Sequence, residues 1–220
     1  MKTFFIGSLV ALVVLLFTGG TVSAQDEVNR FEVFAGYAYM NLNRGIDPDE
    51  FDDDLSDFPA NRVNAHGFNA SATYNFNRFI GAKFDMTFHG HSQDFDQIPF
   101  KLEQKVNQYM GGIQIKDNRS DGPKFKPFAH FLAGAASQSI QLELTGTDDE
   151  IVPFDVNSTD FAMKLGAGID YKVHKNIDIR LIQFDWNPIF RSDTNFGPTL
   201  GTLPGVMQNN LQLTFGVVFH

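Results

Sequence analysis

Over the last twelve residues, Asn209 to His220, the chain alternates. Leu211, Leu213, Phe215, Val217 and Phe219 share one parity, and Asn210, Gln212, Thr214, Gly216 and His220 share the other. A period of two predicts a strand with one apolar and one polar face; Val218 is the one apolar residue on the polar side. The same rhythm recurs upstream. Phe31, Val33, Ala35, Tyr37 and Tyr39 alternate with Glu32, Phe34, Gly36, Ala38 and Met40. Phe68 to Phe76 and Ile80 to His89 are two clean alternating segments joined at Asn77-Arg78, which predicts a hairpin. Further strands follow over 108–116, 127–137, 160–171 and 177–186. The Ala-rich segment 127–137 leaves its outward parity open. Within 177–186 the parity slips, because Ile177, Ile179 and Leu181 are followed by Ile182, Phe184 and Trp186. One extra residue near Leu181-Ile182 restores the alternation and predicts a β-bulge.

Eight strands result, with long connections (43–64, 90–104, one within 138–158, and 187–208) after the odd ones and short turns (77–78, 117–124 and 172–176) after the even ones. An alternating strand at a sheet edge leaves backbone groups unpaired. Because the first and last strands carry the same pattern, closure into an all-β, eight-stranded antiparallel up-and-down barrel is the economical arrangement.

Composition adds location. Met1 and Lys2 precede an apolar core from Phe4 to Phe17, and Thr21-Val22-Ser23-Ala24 supplies small residues. Residues 1–24 therefore read as a secretory signal peptide and 25–220 as a single barrel domain. No later stretch reaches the ~18 apolar residues of a spanning helix. The formal charge is −9 and Cys is absent, which argues against nucleic-acid partners and excludes disulfides.

Alternation alone does not separate a membrane barrel from a soluble lipocalin-like one, which has the opposite facing. Three features favour the membrane. The connections alternate long and short. Aromatics of the apolar parity gather at strand ends, with Phe31, Tyr74, Phe76, Tyr171 and Phe219 at one rim and Tyr37, Tyr39, Phe88 and Trp186 at the other. The opposite parity carries Lys83, Asp85, Lys164, Arg180, Gln183 and Asp185, which suits a wet or ion-paired lumen. Charge follows the same division: seven of the eleven residues from Asp47 to Asp57 are acidic, on the long-loop side, while the short turns bear Arg78, Lys172 and Lys175. The leader, the eight segments and the aromatic-rich terminal strand together resemble the OmpA/OmpX-type family of outer-membrane β-barrels; Phe219 is penultimate here, where the family's aromatic is usually last. The resemblance implies outer-membrane lipid as the surroundings, insertion machinery that reads the C-terminal strand, and inner ion pairs that plug the lumen.

The expected lumen network comprises Glu32, Lys83, Asp85, Lys164, Arg180 and Asp185. Glu32 and Arg180 are expected to pair across Gly216, and Lys83, Asp85 and Lys164 to cluster higher up. Buried charges of this kind require partners. Other chemistry is less well supported. The acidic segment lacks the spaced Asp and central Gly of an EF-hand loop. His89, His91, Ser92, Asp94 and Asp96 offer metal-ligand or hydrolase residue types at a strand end and in a loop, without a fixed geometry. No catalytic, cofactor or metal residues are assigned. The expectation is a non-enzymatic barrel that presents acidic loops for adhesion or envelope integrity to a surface partner of unknown identity. A small porin-like channel and a lipid A-modifying enzyme are the alternatives.

Overall fold

The computed structural model describes residues 28–43, 62–95, 100–145, 151–195, 202–203 and 205–220. The leader 1–24 and the acidic stretch 47–57 lie outside the described residues. Among those described, strands run β1 Phe31–Asn43, β2 Arg62–Asn75, β3 Ile80–Phe95, β4 Phe100–Lys116 and β5 Phe125–Thr145. They continue with β6 Ile151–His174, β7 Ile177–Phe190, a short ribbon of β8 Thr194–Asn195 with β9 Thr202–Leu203, and β10 Met207–Phe219. Eight of them close an antiparallel barrel in the order β1-β10-β7-β6-β5-β4-β3-β2. The closing seam pairs Val33 with Phe219 and continues to Asn41 with Leu211. Closure leaves the spanning strands without a free edge, the condition for crossing a hydrocarbon layer in which no water can satisfy backbone groups.

Facing follows the alternation. Phe84, Leu165, Phe184, Leu213 and Phe215 lie on the outer wall, while Lys83, Asp85, Lys164, Asp185 and Thr214 are buried inside. The Ala-rich strand is now oriented: Phe125 and Phe131 point outward, and Lys126, Phe128, His130 and Leu132 point inward. The short-turn rim carries aromatic contacts between Phe31 and Tyr74 (5.0 Å), Tyr74 and Phe76 (5.4 Å), and Phe125 and Tyr171 (5.0 Å). In β7 the register shifts against both neighbours at the expected place. Gly216 pairs with Arg180 and Thr214 with Gln183, so Leu181 and Ile182 together oppose Phe215. Both side chains point outward, and Arg180 and Gln183 both keep the lumen side.

The loop expected over 90–104 is strand for most of its length, and the connection expected within 138–158 falls inside that range with longer strands on either side. β3 and β4 stay paired to Phe95–Phe100, and β5 and β6 to Thr145–Ile151. The continuing alternation of Ile140, Leu142 and Leu144 with Gln141 and Glu143 is visible in the sequence. Its apolar residues occupy even positions, whereas Phe125 and Phe131 earlier in the strand occupy odd ones, so a search along a single apolar parity passes over it.

Candidate functional site

The polar parity assembles inside the barrel in layers. Nearest the short turns, Lys116 on β4 donates from Nζ to Glu32 Oε2 on β1 and to Asp170 Oδ2 on β6, at 2.9 Å each. Asp170 also takes Arg180 of β7, whose Nε donates to Oδ1 at 2.8 Å and Nη2 to Oδ2 at 3.1 Å. This two-point grip is the geometry that favours a guanidinium over an ammonium. Arg180 Nη1 donates to Gln183 Oε1 at 2.7 Å. Its guanidinium carbon lies 4.3 Å from the ring centre of Phe34 and 4.2 Å from that of Phe128. Gly168 makes room for this arrangement, since a Cβ there would stand 2.6 Å from Phe128 Cζ. Beside the cluster, Lys126 Nζ reaches Asp178 Oδ2 at 3.1 Å, and His220 Nε2 lies 2.9 Å from the same oxygen.

The expected Glu32–Arg180 pair does not form. Each has a nearer partner, Lys116 for Glu32 and Asp170 for Arg180, and the two are joined only through those residues. Gly216 faces Gly36 across the β1–β10 seam, and the ring of Phe34 packs over Gly36, so the space expected for a crossing guanidinium holds an aromatic ring.

A second layer lies above. Lys164 on β6 donates to Asp85 Oδ1 on β3 at 2.8 Å and to Thr87 Oγ1 at 3.1 Å, and Asn69 donates to Asp85 Oδ2 at 3.0 Å. Asp185 lies 3.0 Å from His130 Nε2 and accepts from Gln183 Nε2 at 2.7 Å. Lys83 is buried in this layer but does not join the Asp85–Lys164 pair. Its Nζ has no hydrogen-bond partner among the described residues and stands 5.8 Å from the Phe128 ring centre. Higher still, Asn187 donates to Gln108 Oε1 at 2.7 Å and Gln138 to Gln208 Oε1 at 2.8 Å. Among these amides sits a packed apolar cluster that includes Met40, Leu42, Val106, Met110, Leu132 and Ile189.

Several of these bonds cross the bore. β1 and β4, β3 and β6, β4 and β7, and β5 and β10 are each three places apart in a ring of eight, close to diametrically opposite. The bonds Lys116–Glu32, Lys164–Asp85, Asn187–Gln108 and Gln138–Gln208 therefore span the lumen at successive heights.

Sequence reasoning passed over Lys116 and Asp170, although both lie on the polar parity, because they sit at strand ends next to turns. It missed Lys126 and His130 because the facing of β5 was open. The hydrolase-type residues do not converge: His89 and His91 share the lumen parity, while Ser92 is exposed on the other. His91 Nδ1 instead meets the Asn64 carbonyl at 2.9 Å. Asp96 lies outside the described residues.

A model of the family described as the Outer membrane protein beta-barrel domain matches residues 10–219. The chain belongs to this family. It is thus a β-barrel of the bacterial outer membrane. Among solved structures, Neisserial surface protein A is 16% identical, with 88% of this chain and 99% of that one covered and a TM-score of 0.54. The attachment invasion locus protein Ail of Yersinia pestis, in complex with the heparin analogue sucrose octasulfate, is 15% identical over 86% of this chain and 97% of its own, at a TM-score of 0.50. The Escherichia coli outer membrane protease OmpT is 8% identical over 91% and 99%, also at 0.50. At these identities the likeness is one of fold. No curated protein matches the chain. Barrels with this fold include a protease, so the fold alone assigns no chemistry.

Proposed function

We propose that this family member is a non-enzymatic surface barrel. Its lumen is closed by its own side chains, and its extended strands and acidic segment contact a partner outside the cell. The observation that carries the reading is the set of cross-bore bonds, above all Lys116 to Glu32 and Lys164 to Asp85. An eight-stranded barrel has an interior just wide enough for side chains to fill. An apolar layer above the charges opposes hydration of the remaining space.

The surface role is supported by the unequal strand lengths. A spanning strand needs about 9–11 residues, yet β5 has 21 and β6 has 24, against 14 in β7. At ~3.3 Å per residue the β5–β6 hairpin continues roughly 30 Å beyond the span. The acidic block Asp47 to Asp57 belongs to the same side by sequence. It favours a cationic or metal-bridged partner over a polyanion such as the heparin analogue bound by the Yersinia protein. In this reading residues 1–24 direct export, and the C-terminal strand is the segment that the insertion machinery reads.

Two measurements on cells expressing the full chain test the proposal. Adhesion to positively charged surfaces should fall when residues 47–57 are replaced by a Gly/Ser linker, with insertion unchanged. The mass of lipid A should be the same with and without the protein. Unaltered adhesion would remove the surface role, and a mass change would reveal an enzyme.

A further inference from the structure

The short-turn rim carries a basic collar set directly against the aromatic one. Arg30 adjoins Phe31, Arg78 adjoins Phe79, Lys124 adjoins Phe125 and Lys172 adjoins Tyr171, so four cations each neighbour a rim aromatic in the chain. Lys175 and Arg119 lie in the adjoining turns. Against these six stand Asp117 and Asp121 among the described residues of the rim. Asp117 is already held by Arg78 at 3.1 Å and Arg119 at 3.0 Å.

The turns are braced, which fixes the cations in place. The 28–30 segment reaches across to the β4–β5 turn, where Val28 bridges to Arg119 and the Asn29 amide donates to the Asn118 carbonyl at 2.9 Å. Asn118 in turn donates to the Arg78 carbonyl at 2.8 Å. Arg30 Nη1 donates to the Phe76 carbonyl at 3.1 Å, and the Arg78 guanidinium lies 4.6 Å from the centre of the Phe79 ring. Lys124 and Lys175 are exposed, with no carboxylate partner among the described residues.

Aromatic belts sit at headgroup level in a bilayer. A cation one residue beyond such an aromatic is therefore placed among the headgroups, and Lys and Arg stems are long enough to adjust its depth. We propose that this rim is an interaction surface for anionic glycerophospholipids of the periplasmic leaflet, whose phosphate groups it holds at Arg30, Lys124 and Lys175. The chemistry is that of a phosphate monoanion or diester facing fixed cations, strengthened by a low-dielectric neighbour. The leaflet assignment rests on the reading that the short turns face the periplasm.

The test is native mass spectrometry of the full chain extracted from outer membranes in mild detergent. Phosphatidylglycerol and cardiolipin should be retained above their share of the membrane, relative to phosphatidylethanolamine. The R30Q/K124Q/K175Q variant should lose that enrichment by roughly tenfold or more, given what each juxtamembrane cation contributes. It should still show the heat-dependent gel shift of a folded barrel. Retention in proportion to membrane content, or equal enrichment by the folded variant, would overturn the proposal. Should the variant fail to insert, the wild-type protein decides: its enrichment must fall as salt is raised from about 0.05 to about 0.5 M, and a salt-independent enrichment would contradict it. Orientation is read separately. A cysteine introduced by Lys175→Cys should react with an impermeant maleimide only after the outer membrane is permeabilised. Labelling in intact cells would refute the leaflet assignment whatever lipid is retained.

Discussion

Replacing Lys116 by Met should destabilise the barrel by about 3–5 kcal/mol, the cost of stranding a buried charge. Lys116 is fully buried and serves two carboxylates at 2.9 Å each. The two lose unequally. Asp170 keeps the two-point grip of Arg180. Among the described residues Glu32 keeps only Asn75 at 3.2 Å, Gln114 at 3.4 Å and a His220 nitrogen at 3.9 Å. The stranded group is therefore Glu32, and adding Glu32→Gln to Lys116→Met removes its charge while Asp170 and Arg180 remain a matched pair. The double variant should recover about 0.5–3 kcal/mol relative to the sum of the two single losses, the range of coupling measured for contacting residues. Urea unfolding in lipid vesicles gives these numbers, with the fluorescence of Trp186 as reporter, since it is the one Trp and lies on the outer wall. Simple additivity of the two losses would refute the four-residue cluster.

Other expectations follow from the same geometry. Arg in place of Phe84 or Leu165, both on the outer wall near mid-span, should cost roughly 2–4 kcal/mol, whereas at Phe79 in the turn the cost should be about 0–1; equal losses in a refolding titration would contradict the depth assignment. Deleting Leu181 removes the extra residue that keeps Asp178 and Arg180 on the lumen side along with Gln183. It should abolish the heat-modifiable folded band, and a normal band would mean that the strand tolerates either register. In the β4–β5 turn, partial burial pushes the Asp117 carboxyl up, but hydrogen bonds from Arg119 and Arg78 outweigh it and hold the group at about 2. Because the folded value lies below the ordinary 3.8, the stabilisation is complete above about pH 4 and is lost as the pH falls towards 2. A carboxyl titration by NMR should show a midpoint near the lower value, and an ordinary midpoint would mean that the arginines do not hold it.

Much of the barrel was legible because outer-membrane strands must alternate, and alternation survives in a single sequence. Even the slip at Leu181-Ile182 could be placed, since one extra residue flips every side chain that follows. Partners inside the lumen were a different matter. Parity says that Glu32 and Arg180 both point inward, but their distances depend on the tilt and stagger of the strands. Lys116 and Asp170 therefore intervene without any local signal. The apolar layer around Met40 and Leu132 was hidden for a related reason: inward apolar residues such as Phe34, Ala38 and Met40 read as blemishes in a polar face until the ring is closed. The length of β5 and β6 was obscured where the apolar residues change from odd positions such as Phe125 and Phe131 to the even positions of Ile140, Leu142 and Leu144.

Closure of the lumen is the central claim, and single-channel recording of the purified full chain in a planar bilayer tests it most directly. With Lys116–Glu32 and Lys164–Asp85 spanning the bore beneath an apolar layer, the protein should insert without discrete conductance steps. The Lys164→Ala and Met40→Ser double variant should begin to show them. Stable, ohmic steps from the unaltered protein would contradict a closed lumen and establish a pore.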